Sequence, residues 1–166
     1  MQYVFDTNIL IDMHENYYPT VFYNVWDKVK ELIDEGVMVS ISEVKYELKS
    51  EPIRNHWLNI ESQCSNKLFK ELINGEEECI QLIEALPIYK EEFRRNKITT
   101  SLEKEWGNYA VVVADPWIIS YGWKHDAIVV TNEKPSKKHN IPHVCDELNI
   151  KHVNLKQFFE ENNITF

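Results

Sequence analysis

Short apolar runs, each ending at or near an acid, constrain this chain more than any other feature. Residues 2–5 (QYVF) stop at Asp6. Val37–Ile41 leads through Ser42 to Glu43 and Glu47. Ala127–Thr131 is followed two residues later by Glu133. Runs of four or five residues rich in Val, Ile and Phe are too short for helices and read as buried strands. Residues 19–35 instead carry a helical period through Val21, Phe22, Val25, Trp26, Val29, Leu32 and Ile33, with Pro19 suited to the first turn and Gly36 to the stop. Ser42 is placed to cap a helix containing Val44 and Leu48. Asp115-Pro116 opens a helix of about residues 116–124, with Asp115 as its N-cap. A short helix is expected after Pro142, a last strand at His152-Val153, and a closing helix capped by Asn154 with Gln157 at the capping-box position.

Strands alternating with helices predict an α/β fold: three layers, with a mostly parallel sheet of four to five strands flanked by helices. The 166 residues suit one domain, residues 1–166, and a helical insert is expected at about 50–113. Within it, residues 53–95 read as helical with breaks near Asn74-Gly75 and Pro87, whereas Trp106–Val113 suits a strand or a buried helix equally.

No apolar run approaches the roughly 18 residues of a membrane span. The N-terminal run holds Asp6 and lacks a basic leader, so no signal peptide, no membrane association and a cytoplasmic location are expected. The three cysteines, 64, 79 and 145, form no CxxC pair, which argues against a disulfide framework. His139, His143 and Cys145 make a weak zinc pattern, because structural zinc takes four ligands, usually with paired cysteines.

The chemistry lies in four acids. In open parallel sheets, ligands bind beyond the carboxyl ends of the strands. Asp6 follows the first strand directly. Glu47 sits in the helix after the second, Asp115 opens a helix, and Glu133 follows the Ala127–Thr131 strand. Right-handed crossovers would bring all four to one edge. Each has an ordinary alternative: Asp6-Thr7-Asn8 as a turn, Asp115 as a cap, Glu133 as a solvated charge. Glu47 borders the buried stripe of Val44 and Leu48, whereas Glu43 is explained as a first-turn acid facing the helix dipole. Clustered carboxylates repel unless protonated or bridged by a cation. Oxygen-rich acid clusters suit Mg²⁺ or Mn²⁺, and paired divalent ions serve phosphodiester cleavage.

At these residues the chain resembles the PIN-domain nucleases. Val4-Phe5-Asp6-Thr7-Asn8 looks like the family's first motif, and Ile41–Leu48, with its Ser and later Glu, like the second. Ala114-Asp115-Pro116-Trp117-Ile118-Ile119 is similar to the third, and Val129-Val130-Thr131-Asn132-Glu133 to the fourth, with Glu where Asp is commoner. The resemblance covers residues 3 to about 159. It implies a PIN-like fold and an Mg²⁺- or Mn²⁺-dependent endoribonuclease that leaves a 5′-phosphate and a 3′-hydroxyl. Asp6, Glu47, Asp115 and Glu133 would be metal ligands. Asn8 would hydrogen-bond within the site, and Thr131 would orient a carboxylate or water. Many bacterial members are toxins of toxin–antitoxin pairs and many dimerise, so an antitoxin and a second copy of the chain are the expected protein partners.

RNA is the expected substrate, contacted by Lys134, Lys137, Lys138 and His139 or by Lys90, Arg94, Arg95 and Lys97, with ordinary solvated charges as the alternative for both groups. The net charge of −9 runs against a nucleic-acid partner, and bound divalent cations would offset part of it. Most aromatics, including Trp26, Phe158 and Phe159, fall on apolar helical stripes and read as core. A catalytically inactive PIN-fold module that binds RNA or protein is the alternative function. An Mg²⁺-dependent phosphatase is disfavoured, because Asn8-Ile9-Leu10-Ile11 is too apolar to hold a phosphate.

Overall fold

The computed structural model of the protein describes residues 1–72, 114–136 and 140–165. Five strands are described: β1 (Tyr3–Phe5), β2 (Met38–Ile41), β3 (Phe69–Lys70), β4 (Ile128–Val130) and β5 (His152–Val153). They form one parallel sheet in the order β3-β2-β1-β4-β5. Seven helices flank it among the described residues: α1 (Thr7–Asn16), α2 (Tyr23–Asp34), α3 (Ser42–Glu47), α4 (Glu51–Ser62), α5 (Asp115–His125), α6 (Ile141–Leu148) and α7 (Leu155–Glu161). This is the expected α/β architecture.

The pleat sorts the helices into two layers, because side chains alternate faces along a strand. Tyr3 and Phe5 of β1 both meet the Phe158 ring of α7, at centroid separations of 5.0 and 4.8 Å. Phe159 meets Tyr17 just beyond α1, and the Trp57 indole of α4 donates to the Leu10 carbonyl of α1. These contacts tie α1, α4 and α7 together on the Phe5 face. Val4 pairs in register with Val129, so both point to the opposite face. There α5 lies so close that a Cβ on Gly122 would stand 2.8 Å from Val129 Cγ2. Gly122→Val should therefore cost about 1–3 kcal/mol by overpacking. Chemical denaturation would read this as a lower midpoint with an unchanged slope.

Local chemistry accounts for most boundaries. In α2, Val25, Trp26, Val29, Leu32 and Ile33 are buried as the periodicity predicts. Gly36 follows with φ +68, which only glycine adopts without strain. Asn154 and Gln157 form the expected reciprocal capping box at α7.

Several expectations need correction. Residues 18–22 form a turn, with Val21 and Phe22 N–H groups donating to the Tyr18 carbonyl, so Pro19 precedes α2 and Val21 is 64% exposed. In place of the alternative turn at Asp6-Thr7-Asn8, the chain starts α1 there, with Asp6 as N-cap and buried Ile9, Leu10 and Met13 on one helical face. Ser42 is the first residue of α3 and Ile41 its N-cap. Asp115 is the first residue of α5, and Ala114 is the N-cap. The helical reading of residues 53–95 breaks at Phe69-Lys70, which pairs with Ser40-Ile41 as the edge strand β3. Within the proposed 50–113 insert, residues 73–113 lie outside the described residues, as do the breaks at Asn74-Gly75 and Pro87 and the ambiguous Trp106–Val113. No described helix is long and apolar enough to cross a membrane.

Candidate metal centre

The strand order reverses at β1. The chain proceeds outward from β1 to β2 and β3, then returns to place β4 on the other side of β1. Such a switch point opens a crevice beyond the carboxyl ends of the two central strands. Asp6 follows β1 there, and Thr131 follows β4. The Asp6 backbone N–H donates to the Val130 carbonyl over 3.1 Å, fixing the two strand ends together.

Asp6 is 2% exposed, and its Oδ2 accepts a 3.0 Å hydrogen bond from the Thr131 hydroxyl. That hydroxyl also accepts from the Glu133 N–H at 3.2 Å, so Thr131 joins the first and fourth acids. Glu133 Oε2 accepts the Ile141 N–H at 2.8 Å, at the start of α6. A carboxylate there is stabilised by a free backbone donor and the positive end of the helix dipole. Glu47 closes α3 and spans two other segments. Its Oε2 accepts from the Thr7 hydroxyl, and its Oε1 accepts the Ala114 N–H at 3.3 Å. Ala114 immediately precedes Asp115, which keeps some exposed surface while its carboxyl group is enclosed.

The acids act on one another strongly. Burial first, then the Glu133 and Glu47 charges, pushes the Asp6 carboxyl up to about 7, against the lowering effect of the Thr131 hydrogen bond. Asp115 is raised well above the usual carboxylate range by burial, then by Asp6, Glu133 and Glu47. Each of the four therefore lies within electrostatic reach of others, although they come from remote parts of the chain. Among the described residues, no Lys, Arg or His forms a salt bridge with any of them.

This donor set fits a hard divalent cation: carboxylate oxygens, two of the carboxyl groups deeply enclosed, and no basic side chain paired with them among the described residues. Among the described residues, no group of three or more His, Cys, Asp or Glu side chains stands as one that could hold a metal ion. Glu47 and Glu133 are turned to protein donors, so to share a cation with Asp6 and Asp115 they would have to give up those hydrogen bonds.

The other expected site residues divide. Asn8 is exposed and makes no side-chain hydrogen bond among the described residues, in contrast to buried Thr7 beside it. Lys134 is exposed, and Lys137, Lys138 and His139 lie outside the described residues, as do Lys90, Arg94, Arg95 and Lys97. Of the weak zinc pattern, Cys145 is a buried thiol pushed up to about 12 by burial and Asp146, and His139 lies outside the described residues. Trp117 is buried, whereas Trp123 is 40% exposed.

Thr7 escaped the sequence reading. A hydroxyl next to Asp6 signals little by itself, and its partner Glu47 lies 40 residues away. Thr7→Val keeps the shape and removes the donor. It should lower any metal-dependent activity about 10- to 100-fold, the usual cost of losing a group that orients a metal ligand, with unchanged circular dichroism.

A family model described as "Domain of unknown function (DUF4411)" matches residues 3–166. A search of curated proteins found no match.

Proposed function

Starting from a chain that belongs to the DUF4411 family, a domain of unknown function, we propose that this protein is a PIN-type, Mg²⁺- or Mn²⁺-dependent endoribonuclease. The observation that carries the reading is the enclosure of the Asp6 and Asp115 carboxyl groups near the β1/β4 switch point, with Glu133 and then Glu47 acting on Asp6, and Asp6 acting first on Asp115, followed by Glu133 and Glu47. Enclosed acids in mutual repulsion are costly unless a ligand rewards them.

Asp6 and Asp115 would hold the cation directly, with Glu47 and Glu133 completing its oxygen ligands once turned from their present hydrogen-bond donors. Thr131 holds the Asp6 carboxyl in place, and Thr7 does the same for Glu47. A bound cation supplies Lewis-acid polarisation of phosphoryl oxygens and offsets the charge they gather. Water attacks phosphorus in line, the bond to the 3′-oxygen breaks, and a 5′-phosphate is left on the downstream fragment. Lys134, with Lys137 and Lys138 after it in sequence, would meet the RNA backbone. The proposal extends to a cytoplasmic toxin restrained by an antitoxin, acting as a homodimer. A second reading is a non-cutting module that binds RNA or protein, and the acidic net charge of −9 favours its protein-binding form.

End-labelled single-stranded RNA incubated with the purified protein and Mn²⁺ separates the two. Cleavage that stops on chelation and leaves 5′-phosphates supports the nuclease. RNA retention without cleavage supports the module.

A further inference from the structure

A second feature of the same sheet edge has no part in the acid cluster. Beside β4 and β5, on the Phe5 face, lies a cavity of about 530 Å³, within the ~300–1,000 Å³ typical of small-molecule sites. Tyr17 and Phe159 give it aromatic walls, with ring centroids 5.4 Å apart and nearly perpendicular. Asn132, Asn154, Lys156 and Glu160 add polar groups to the rim, with the Lys156 ammonium 3.5 Å from the Glu160 carboxylate on the exposed surface of α7.

Asn132 links the cavity to the acids. It stands between Thr131, which holds Asp6, and Glu133. Its amide is fixed from two sides: Nδ2 donates to Asp12 of α1 at 2.8 Å, and Oδ1 accepts the Leu155 N–H of α7 at 3.1 Å. Among the described residues the second amide N–H has no acceptor, and a ligand in the cavity would provide one. An aromatic-walled hollow with a fixed amide at its rim matches what a splayed-out base requires, a π-face and an edge donor, and the exposed Lys156 would exchange its Glu160 partner for the adjoining phosphate.

We propose that this cavity is a nucleobase subsite, holding the base of a nucleotide next to the attacked phosphate. The identification of the ligand rests on the nuclease reading, whereas the cavity and its walls do not. Its function is to turn one base out of the strand so that the neighbouring phosphate meets the acids.

The test is an NMR titration of the isotope-labelled full chain, in chelator, with 5′-AMP, 5′-UMP and ribose 5-phosphate. The nucleotides should shift the Asn132 side-chain amide and the Tyr17 and Phe159 ring signals, and ribose 5-phosphate should not. Tyr17→Leu keeps an apolar wall, removes the stacking face, and should weaken nucleotide binding about tenfold. Lys156→Glu, on an exposed side chain, should weaken it with the fold untouched. Shifts confined to other surfaces, equal shifts with ribose 5-phosphate, or full affinity in both Tyr17→Leu and Lys156→Glu would overturn the subsite. Pocket binding without RNA cleavage in Mn²⁺ would sustain the cavity's assignment while ending the nuclease reading. Cleavage without pocket binding would do the reverse.

Discussion

Asp6→Asn and Asp115→Asn should each lower Mn²⁺-dependent RNA cleavage by more than about 100-fold, beyond the loss expected when a group supporting a metal ligand is removed. Neither change should unfold the protein. Asn retains an acceptor for the Thr131 hydroxyl that now meets Asp6 Oδ2, and Asp115 is placed by the start of α5 more than by its own side chain. Initial rates over a series of Mn²⁺ concentrations check this. If both variants cleave at the wild-type rate, the acids serve only the fold.

The second large effect concerns stability and its sign with pH. In the metal-free protein the Asp6 carboxyl is raised from 3.8 to about 7, and Asp115 is raised as well. Below pH about 4 these groups are protonated in both folded and unfolded chains and contribute nothing differential. Between about 4 and 7 the unfolded chain has released the Asp6 proton while the folded chain still holds it. The folded state then binds more protons, so stability falls as pH rises through this window, opposite to the usual paired carboxylate. Metal-free protein should melt at a lower temperature at pH 7.5 than at pH 5. Asp6→Asn should flatten much of that slope and raise the melting temperature at pH 7.5. Saturating Mn²⁺ should restore wild-type stability at pH 7.5, since a ligand that binds only the folded state stabilises it by mass action. The Asn variants should gain little from Mn²⁺. Thermal melts at both pH values, with chelator or Mn²⁺, compare all of these directly.

The same physics explains what could be read from the residues alone. Asp6, Asp115 and Glu133 were legible because each stands where a strand gives way to a turn or a helix opens, and chain order with crossover handedness then fixes the edge. Glu47 could be preferred to Glu43 because helical period decides which of them borders Val44 and Leu48, and the structure places Glu47 against Thr7 and Ala114. The Asn154–Gln157 capping box is a local pairing across three residues, so it too was visible.

What was hidden depends on distant partners. Strand β3 is two residues long at the sheet edge, and Phe69-Lys70 acquires strand character only by pairing with Ser40-Ile41. Helix α1 was masked because Ile9, Leu10 and Ile11 form a continuous apolar run with no obvious period. The role of Thr7 exists only once β1 and α3 meet. The wall formed by Tyr17 and Phe159 likewise joins residues from opposite ends of the chain.

Calorimetric titration of Mn²⁺ at pH 6.5, repeated in buffers of different ionisation enthalpy, bears most directly on the gathered carboxyl groups. Below the raised Asp6 value, a cation that takes these oxygens must displace protons, so binding to the wild type should release them and the observed heat should change with the buffer. Asp6→Asn and Asp115→Asn should lose both the affinity and the proton release. Binding of equal strength in all three proteins, with no dependence on buffer, would contradict a metal centre at this edge.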